Sequence, residues 1–90
     1  SSERITITRV VVAPGAEQPR HTHPTSEQIW IATAGEGTLL LADGAERSFR
    51  SGDVVRFADG DAHGLINRSG SAFEYLSVTS PLNFRAAYAK

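Results

Sequence analysis

Cysteine is absent from this 90-residue chain, which excludes disulfide staples, thiol nucleophiles and cysteinyl zinc sites. Methionine is absent too, so the first residues are expected to be either a processed end or an expression-tag remnant. The only lysine is Lys90, which removes Schiff-base chemistry and leaves any recognition of phosphate to arginine. Neither sign of charge is in excess: nine basic side chains face ten acidic ones, for a formal charge of -1. No electrostatic footprint for nucleic acid or an anionic membrane is present. Long apolar runs are missing as well. Val10-Val11-Val12-Ala13 and Leu39-Leu40-Leu41-Ala42 are far shorter than the ~20 residues needed to span a bilayer. Ser1-Ser2-Glu3-Arg4 does not open a signal peptide, and a cytoplasmic location is expected. The length leaves room for one domain over residues 1–90. So short a domain hides only roughly 60% of its unfolded surface. Without disulfides, a metal ion or a partner subunit is the expected source of extra stability.

Glycine and proline punctuate the chain at short intervals, and the stretches between them are rich in β-branched and aromatic residues, the pattern of many short strands. Strands are expected at Arg4 to Ala13, Gln18 to His23, Gln28 to Ala34, Thr38 to Ala42, Arg47 to Arg50, Val54 to Phe57, Ala62 to Asn67 and Ala72 to Thr79. Turn residues fill the gaps: Pro14-Gly15, Pro24-Thr25-Ser26, Gly35-Glu36-Gly37, Asp43-Gly44, Ser51-Gly52-Asp53, Asp59-Gly60-Asp61 and Arg68-Ser69-Gly70. The fold class is therefore all-β, a compact sandwich or small barrel. Only the tail from Leu82 to Lys90 has helical character.

The chain contains three histidines. His21 and His23 stand two apart on an expected strand, so their imidazoles leave on one face and can share an ion. His63 follows on a distant strand, as a third ligand of a closed site would. The alternative is that each is a half-buried polar side chain satisfied by a hydrogen bond, and spacing alone leaves both readings open.

Two longer patterns add to this. Gly15, five residues, His21-Thr22-His23, four residues, Gln28, six residues and Gly35 form the first. Gly52, Gly60, His63 and Asn67 form the second, with Ala58 where such patterns carry proline. In order and spacing they resemble the two motifs of the cupin family. The resemblance implies a double-stranded β-helix, a small jelly-roll-like barrel with the histidines pointing inward, and a homodimer. It also implies one divalent transition metal, whether iron, nickel, zinc, manganese or copper, held by His21, His23 and His63.

The family's fourth ligand is a glutamate, and here the chain departs. Gln28 satisfies both flanking intervals, whereas Glu27 satisfies only the one after His23. Consecutive strand residues face opposite ways, so one of the two enters the barrel. Gln28 is the expected metal-facing residue, which turns Trp30 and Ala32 inward. Glu27 is then an outward turn residue, expected to tolerate change. The Glu27 register would instead turn Ile29 and Ile31 inward.

A site of three imidazoles and one amide leaves a divalent ion its full charge, which suits polarising a carbonyl or stabilising an enolate. Trp30, Phe57 and Tyr75 are the candidate substrate-binding residues, with plain core as the alternative for Trp30. Phe73 and Tyr75 share one face of the last strand and Leu76 and Val78 the other, with the inward face left open. Asp59 and Asp61 read as turn formers, with a general-base role as the alternative, and Asn67 as a structural strand end. Two functions are compatible with these residues: a metal-dependent enzyme on a small oxygenated organic substrate, an oxygenase with iron or a lyase or isomerase with another metal, and a non-enzymatic metal- or metabolite-binding module.

Overall fold

The structure is a computed structural model, and it describes residues 6–22, 27–58 and 60–79. Eight strands carry these residues: β1 (Thr6–Val12), β2 (Glu17–His21), β3 (Gln28–Ala34), β4 (Glu36–Leu41), β5 (Glu46–Arg50), β6 (Val54–Phe57), β7 (His63–Ile66) and β8 (Phe73–Thr79). They form two four-stranded sheets, β1-β8-β3-β6 and β2-β7-β4-β5, with every pairing antiparallel. The alternation of apolar residues thus builds the expected all-β sandwich, with the two inner faces meeting in one core. His23 to Ser26, Asp59 and the segment expected to be a helical tail lie outside the described residues.

The chain departs from its expected strand limits at Gly37. That glycine stands inside β4 opposite Phe49, although its neighbours Gly35 and Glu36 suggest a turn. A Cβ there would lie 3.2 Å from both the Leu65 and the Phe73 side chains. Gly37 is the gap into which those side chains pack. The turn itself falls on Gly35, whose positive φ of 84° an L side chain rarely adopts.

Register sorts the inner faces into layers. In the first sheet Thr6, Thr79, Gln28 and Phe57 share one row, Thr8, Ser77, Trp30 and Val55 the next, then Val10, Tyr75 and Ala32, and finally Val12 and Phe73. In the second sheet the corresponding rows are His21, His63 and Leu41, then Gln18, Leu65, Leu39 and Arg47. Phe73 and Tyr75 are therefore the inward pair of the last strand, and both are buried. The barrel has a polar end at His21, His63 and Gln28 and an apolar end at Val12, Phe49 and Phe73.

Asn67 closes the apolar end. Its side-chain nitrogen donates to the Val12 and Ser71 carbonyls, and its oxygen accepts from the Ser69 amide and hydroxyl. With all of these bonds made, a fully buried polar side chain is satisfied, and it ties the β1–β2 and β7–β8 connections together. The structural role expected for it is the one it has.

Candidate functional site

His21 ends β2 and His63 begins β7, and the two residues face each other in register. Their ring centroids are 4.5 Å apart. Two local features bring them together. First, β2 bulges between Gln18 and His21, a stretch that contains Pro19, which has no ladder donor to lose. Second, β7 carries Gly64, where a Cβ would sit 2.6 Å from the Gln18 carbonyl oxygen and 2.9 Å from the Arg20 nitrogen. Only glycine lets the bulged strand come this close. The importance of Gly64 is not visible in the motif spacing, which passes over it.

Each imidazole is oriented by a carbonyl. His21 Nδ1 lies 3.0 Å from the Pro19 oxygen and His63 Nδ1 3.0 Å from the Asp61 oxygen. A carbonyl only accepts, so Nδ1 of each ring carries a proton, and in the neutral ring the lone pair is then on Nε2. That tautomer, locked by a backbone acceptor, is the one metal-ligating histidines use. Asp61 is held in turn, its Oδ2 accepting from the Ala58 amide and its own amide donating to the Ala58 carbonyl. It is a turn former, as expected, and its backbone oxygen sets the His63 ring.

Aromatic side chains surround His63. Phe57 stacks on it with centroids 4.5 Å apart, and Trp30 meets it edge-on at 5.3 Å. Trp30 also packs edge-on against Phe57 and tilted against Tyr75. The three residues expected to form a substrate wall are thus one cluster, but Trp30 is only 2% exposed and belongs equally to the core. Tyr75 donates its phenol to Gln18 Oε1 at 2.6 Å, a bond that joins the two sheets. Burial pushes that phenol up to about 12.

Gln28 takes the inward parity, with Trp30 and Ala32 buried on the same face, and its Oε1 accepts the Trp30 indole N–H at 3.0 Å. Ile29 and Ile31 lie on the opposite, outer face. Glu27 overturns an expectation. It is not a tolerant surface residue but fully buried, and Arg56 Nε and Nη2 both donate to its Oε2, at 3.1 and 2.7 Å. Its position one residue before Gln28 puts it on the outer side of the sheet, where the Arg56 side chain, half exposed, folds down on it. A buried carboxylate needs such a partner, and the pair helps to fix the parity that sends Gln28 inward.

Two imidazoles oriented through Nδ1 suit a metal ion, and the neutral Gln28 amide stands at the same end of the barrel. Among the described residues, no group of three or more His, Asp or Glu side chains gathers as a complete ligand set. His23, expected as the remaining imidazole, lies outside the described residues.

Two four-stranded antiparallel sheets facing each other round one core define the double-stranded β-helix class; His63 is buried at one end of it and His21, opposite, is exposed. A family model of the cupin domain matches residues 8–79, and the chain belongs to the cupin family. Solved structures agree with the fold. A conserved protein with a double-stranded β-helix domain from Klebsiella pneumoniae superposes with a TM-score of 0.82 at 26% identity, over 88% of this chain and 69% of that one. A cupin 2 conserved barrel domain protein from Salinispora arenicola gives 0.76 at 36% identity, over 83% and 61%. A predicted oxalate decarboxylase from Thermotoga maritima gives 0.76 at 26%, over 81% and 63%. The chain spans less than two thirds of the latter two proteins. No curated protein matches. No helix among the described residues is long and apolar enough to cross a membrane.

Proposed function

We propose that the polar end of the barrel is a metal-dependent site for a small oxygenated organic molecule, with His21, His23 and His63 holding one divalent transition ion. The observation that carries this reading is the pair of Nδ1-to-carbonyl bonds, which orient two imidazoles facing each other in register at one end of the barrel. When bound, the ion would supply Lewis acidity, and with iron one-electron chemistry as well. The chain's own residues do the rest. Phe57 and Trp30 exclude water from one side of His63 and offer flat walls. Gln28, Thr79 and Thr6, in one row across the sheet, place an amide and hydroxyls at the same end. Such groups suit a substrate of carboxylate, carbonyl or enol type, turned over by an oxygenase, lyase or isomerase reaction. The predicted oxalate decarboxylase of similar fold acts in its name on a compound of this type, which agrees with the reading.

Elemental analysis of the purified protein, followed by anaerobic iron loading and an oxygen-uptake screen on β-dicarbonyl and catechol-like compounds, tests the proposal. Stoichiometric metal with substrate-dependent turnover is expected. Stoichiometric metal without turnover on any oxygenated compound leaves a binding module in place of an enzyme.

The working unit is a homodimer closed through the outer face of the first sheet. That face carries Ile7, Val11 and Val54, all more than half exposed, beside Ile29, Ile31, Leu76 and Val78. The outer face of the second sheet instead carries Glu17, Thr38, Ser48, Glu36 and Arg50, and its apolar residues Leu40 and Ile66 are buried and half-buried. Charges on the apolar face are paired within it, Arg9 with Glu74 and Arg56 with Glu27. The Thr33 hydroxyl and Arg9 hold the Glu74 carboxyl below the usual carboxylate range. A face with internally balanced charge can meet its own copy without like-charge repulsion, as a two-fold contact requires. Light scattering should return twice the chain mass, and Val54→Lys should halve it. A wild-type mass equal to one chain across a wide dilution range overturns the dimer.

A further inference from the structure

We infer that Gln28 serves the site as a hydrogen-bond donor to an oxygen anion, and not as a further metal ligand. The inference rests on the proposed metal site and assigns Gln28 a task within it.

An indole N–H can only donate, so its partner at 3.0 Å must be the amide oxygen of Gln28. This contact fixes the orientation of an amide that could otherwise turn over. Its two N–H bonds, on Nε2, are what Gln28 retains for another group. The oxygen, the only atom by which a neutral amide binds a hard or borderline cation, already has one lone pair engaged.

Trp30 cannot readily release it. The indole is 2% exposed and wedged against Phe57, His63 and Tyr75. Turning the amide would strand a buried N–H, which carries the full desolvation penalty. An amide that accepts a hydrogen bond at its oxygen also becomes a better donor at its nitrogen, because hydrogen bonds in a chain polarise one another.

The location fits this task. Gln28 stands opposite Phe57 across the β3–β6 ladder, and Phe57 stacks on His63. A ligand bound at the histidines therefore has the Gln28 row beside it. Thr79, opposite Gln28 on β8, adds a hydroxyl to that row. The ligand class is a small oxygen anion, a carboxylate, hydroxamate or enolate, one of whose oxygens receives the amide N–H. The glutamate of the family pattern could not do this, since an ionised carboxylate only accepts.

The test uses the cobalt(II)-loaded protein and its visible spectrum. Cobalt is titrated into wild type and Gln28→Leu, and each loaded protein is then titrated with acetohydroxamate and with 1-methylimidazole, a neutral ligand with no oxygen to receive the N–H. The double variant Trp30→Phe/Gln28→Leu is measured in parallel, because it removes the indole N–H that Gln28→Leu would leave stranded.

Cobalt affinity and 1-methylimidazole affinity should stay within about twofold of wild type, while acetohydroxamate affinity falls about tenfold or more, in keeping with the loss of one hydrogen bond to a charged group. A tenfold or greater fall in cobalt affinity in both variants overturns the inference and makes Gln28 a ligand. Unchanged acetohydroxamate affinity in both variants overturns it as well, with the metal site intact. Failure of the wild type to take up cobalt overturns the metal site itself, and the role of Gln28 with it.

Discussion

The two ends of the barrel use the same strands for different purposes. At one end Val12, Phe49, Phe73 and Leu65 are buried side chains with no polar atoms, packed round the gap at Gly37 and closed by the satisfied amide of Asn67. At the other end His21, His63, Gln28 and Thr79 share the inner surface with Phe57 and Trp30. An end made only for stability would continue the apolar layers. The polar end instead places imidazoles where their rings must be held by backbone carbonyls. The apolar end supplies folding energy, and the polar end draws on it to hold side chains in fixed positions.

Substitutions should separate the two ends, beginning with the largest loss. Phe73→Ala removes a fully buried ring from the apolar end and should destabilise the protein by about 3–5 kcal/mol. Chemical denaturation would measure it, and the variant's folded fraction should still take up metal. Gly64→Ala acts at the joint between β2 and β7, where overpacking is worth about 1–3 kcal/mol. Its distinguishing effect is on the site, because backbone relief must move His21 away from His63. Metal affinity should drop at least tenfold, whereas a stable variant with full affinity would show that the close approach does not position the ligands.

Arg56→Leu leaves the buried Glu27 carboxylate without its guanidinium. Since Arg56 is half exposed and solvent screens part of the pair, a loss of about 1–3 kcal/mol is expected, with Glu27→Gln milder. If Glu27→Gln changes neither stability nor metal binding, the pair has no part in fixing the strand.

The smallest effect belongs to Tyr75, midway between the ends. Its phenol titrates near 10 when unfolded and at about 12 in the fold. Between those values the native state keeps a proton that the unfolded state has lost. The stability contribution is therefore complete below pH 10 and declines as pH rises toward 12. Thermal melts across that interval should show the decline, and Tyr75→Phe should flatten it.

Much of this was legible because strand punctuation and motif spacing are local properties. The limits of β3 and β6 follow from their flanking turn residues, and Gln28 is preferred to Glu27 because its interval to Gly35 matches the cupin pattern the chain resembles. What was not legible depends on partners remote in sequence. Gly37 looks like a turn residue until Leu65 and Phe73 are seen to fill the space above it. Glu27 looks like surface until Arg56, on a strand 29 residues away, closes over it. The inward face of β8 could not be chosen because both faces are apolar: one packs into the core, and the other lies on the apolar outer side of the first sheet. The Trp30–Gln28 bond joins neighbours on one face and could have been suspected from their i, i+2 spacing alone.

The central claim, that the polar end is built to hold a metal ion, is tested most directly by isothermal titration of zinc into metal-free wild type and into His63→Ala, repeated from pH 7.5 down to 5.5. The account predicts one ion per chain in the wild type and at least a hundredfold weaker binding in His63→Ala. It also predicts a progressive loss of affinity as the pH falls, because protons compete with the ion for imidazole nitrogen. Wild-type binding no tighter than that of His63→Ala, or a stoichiometry well below one, would contradict it.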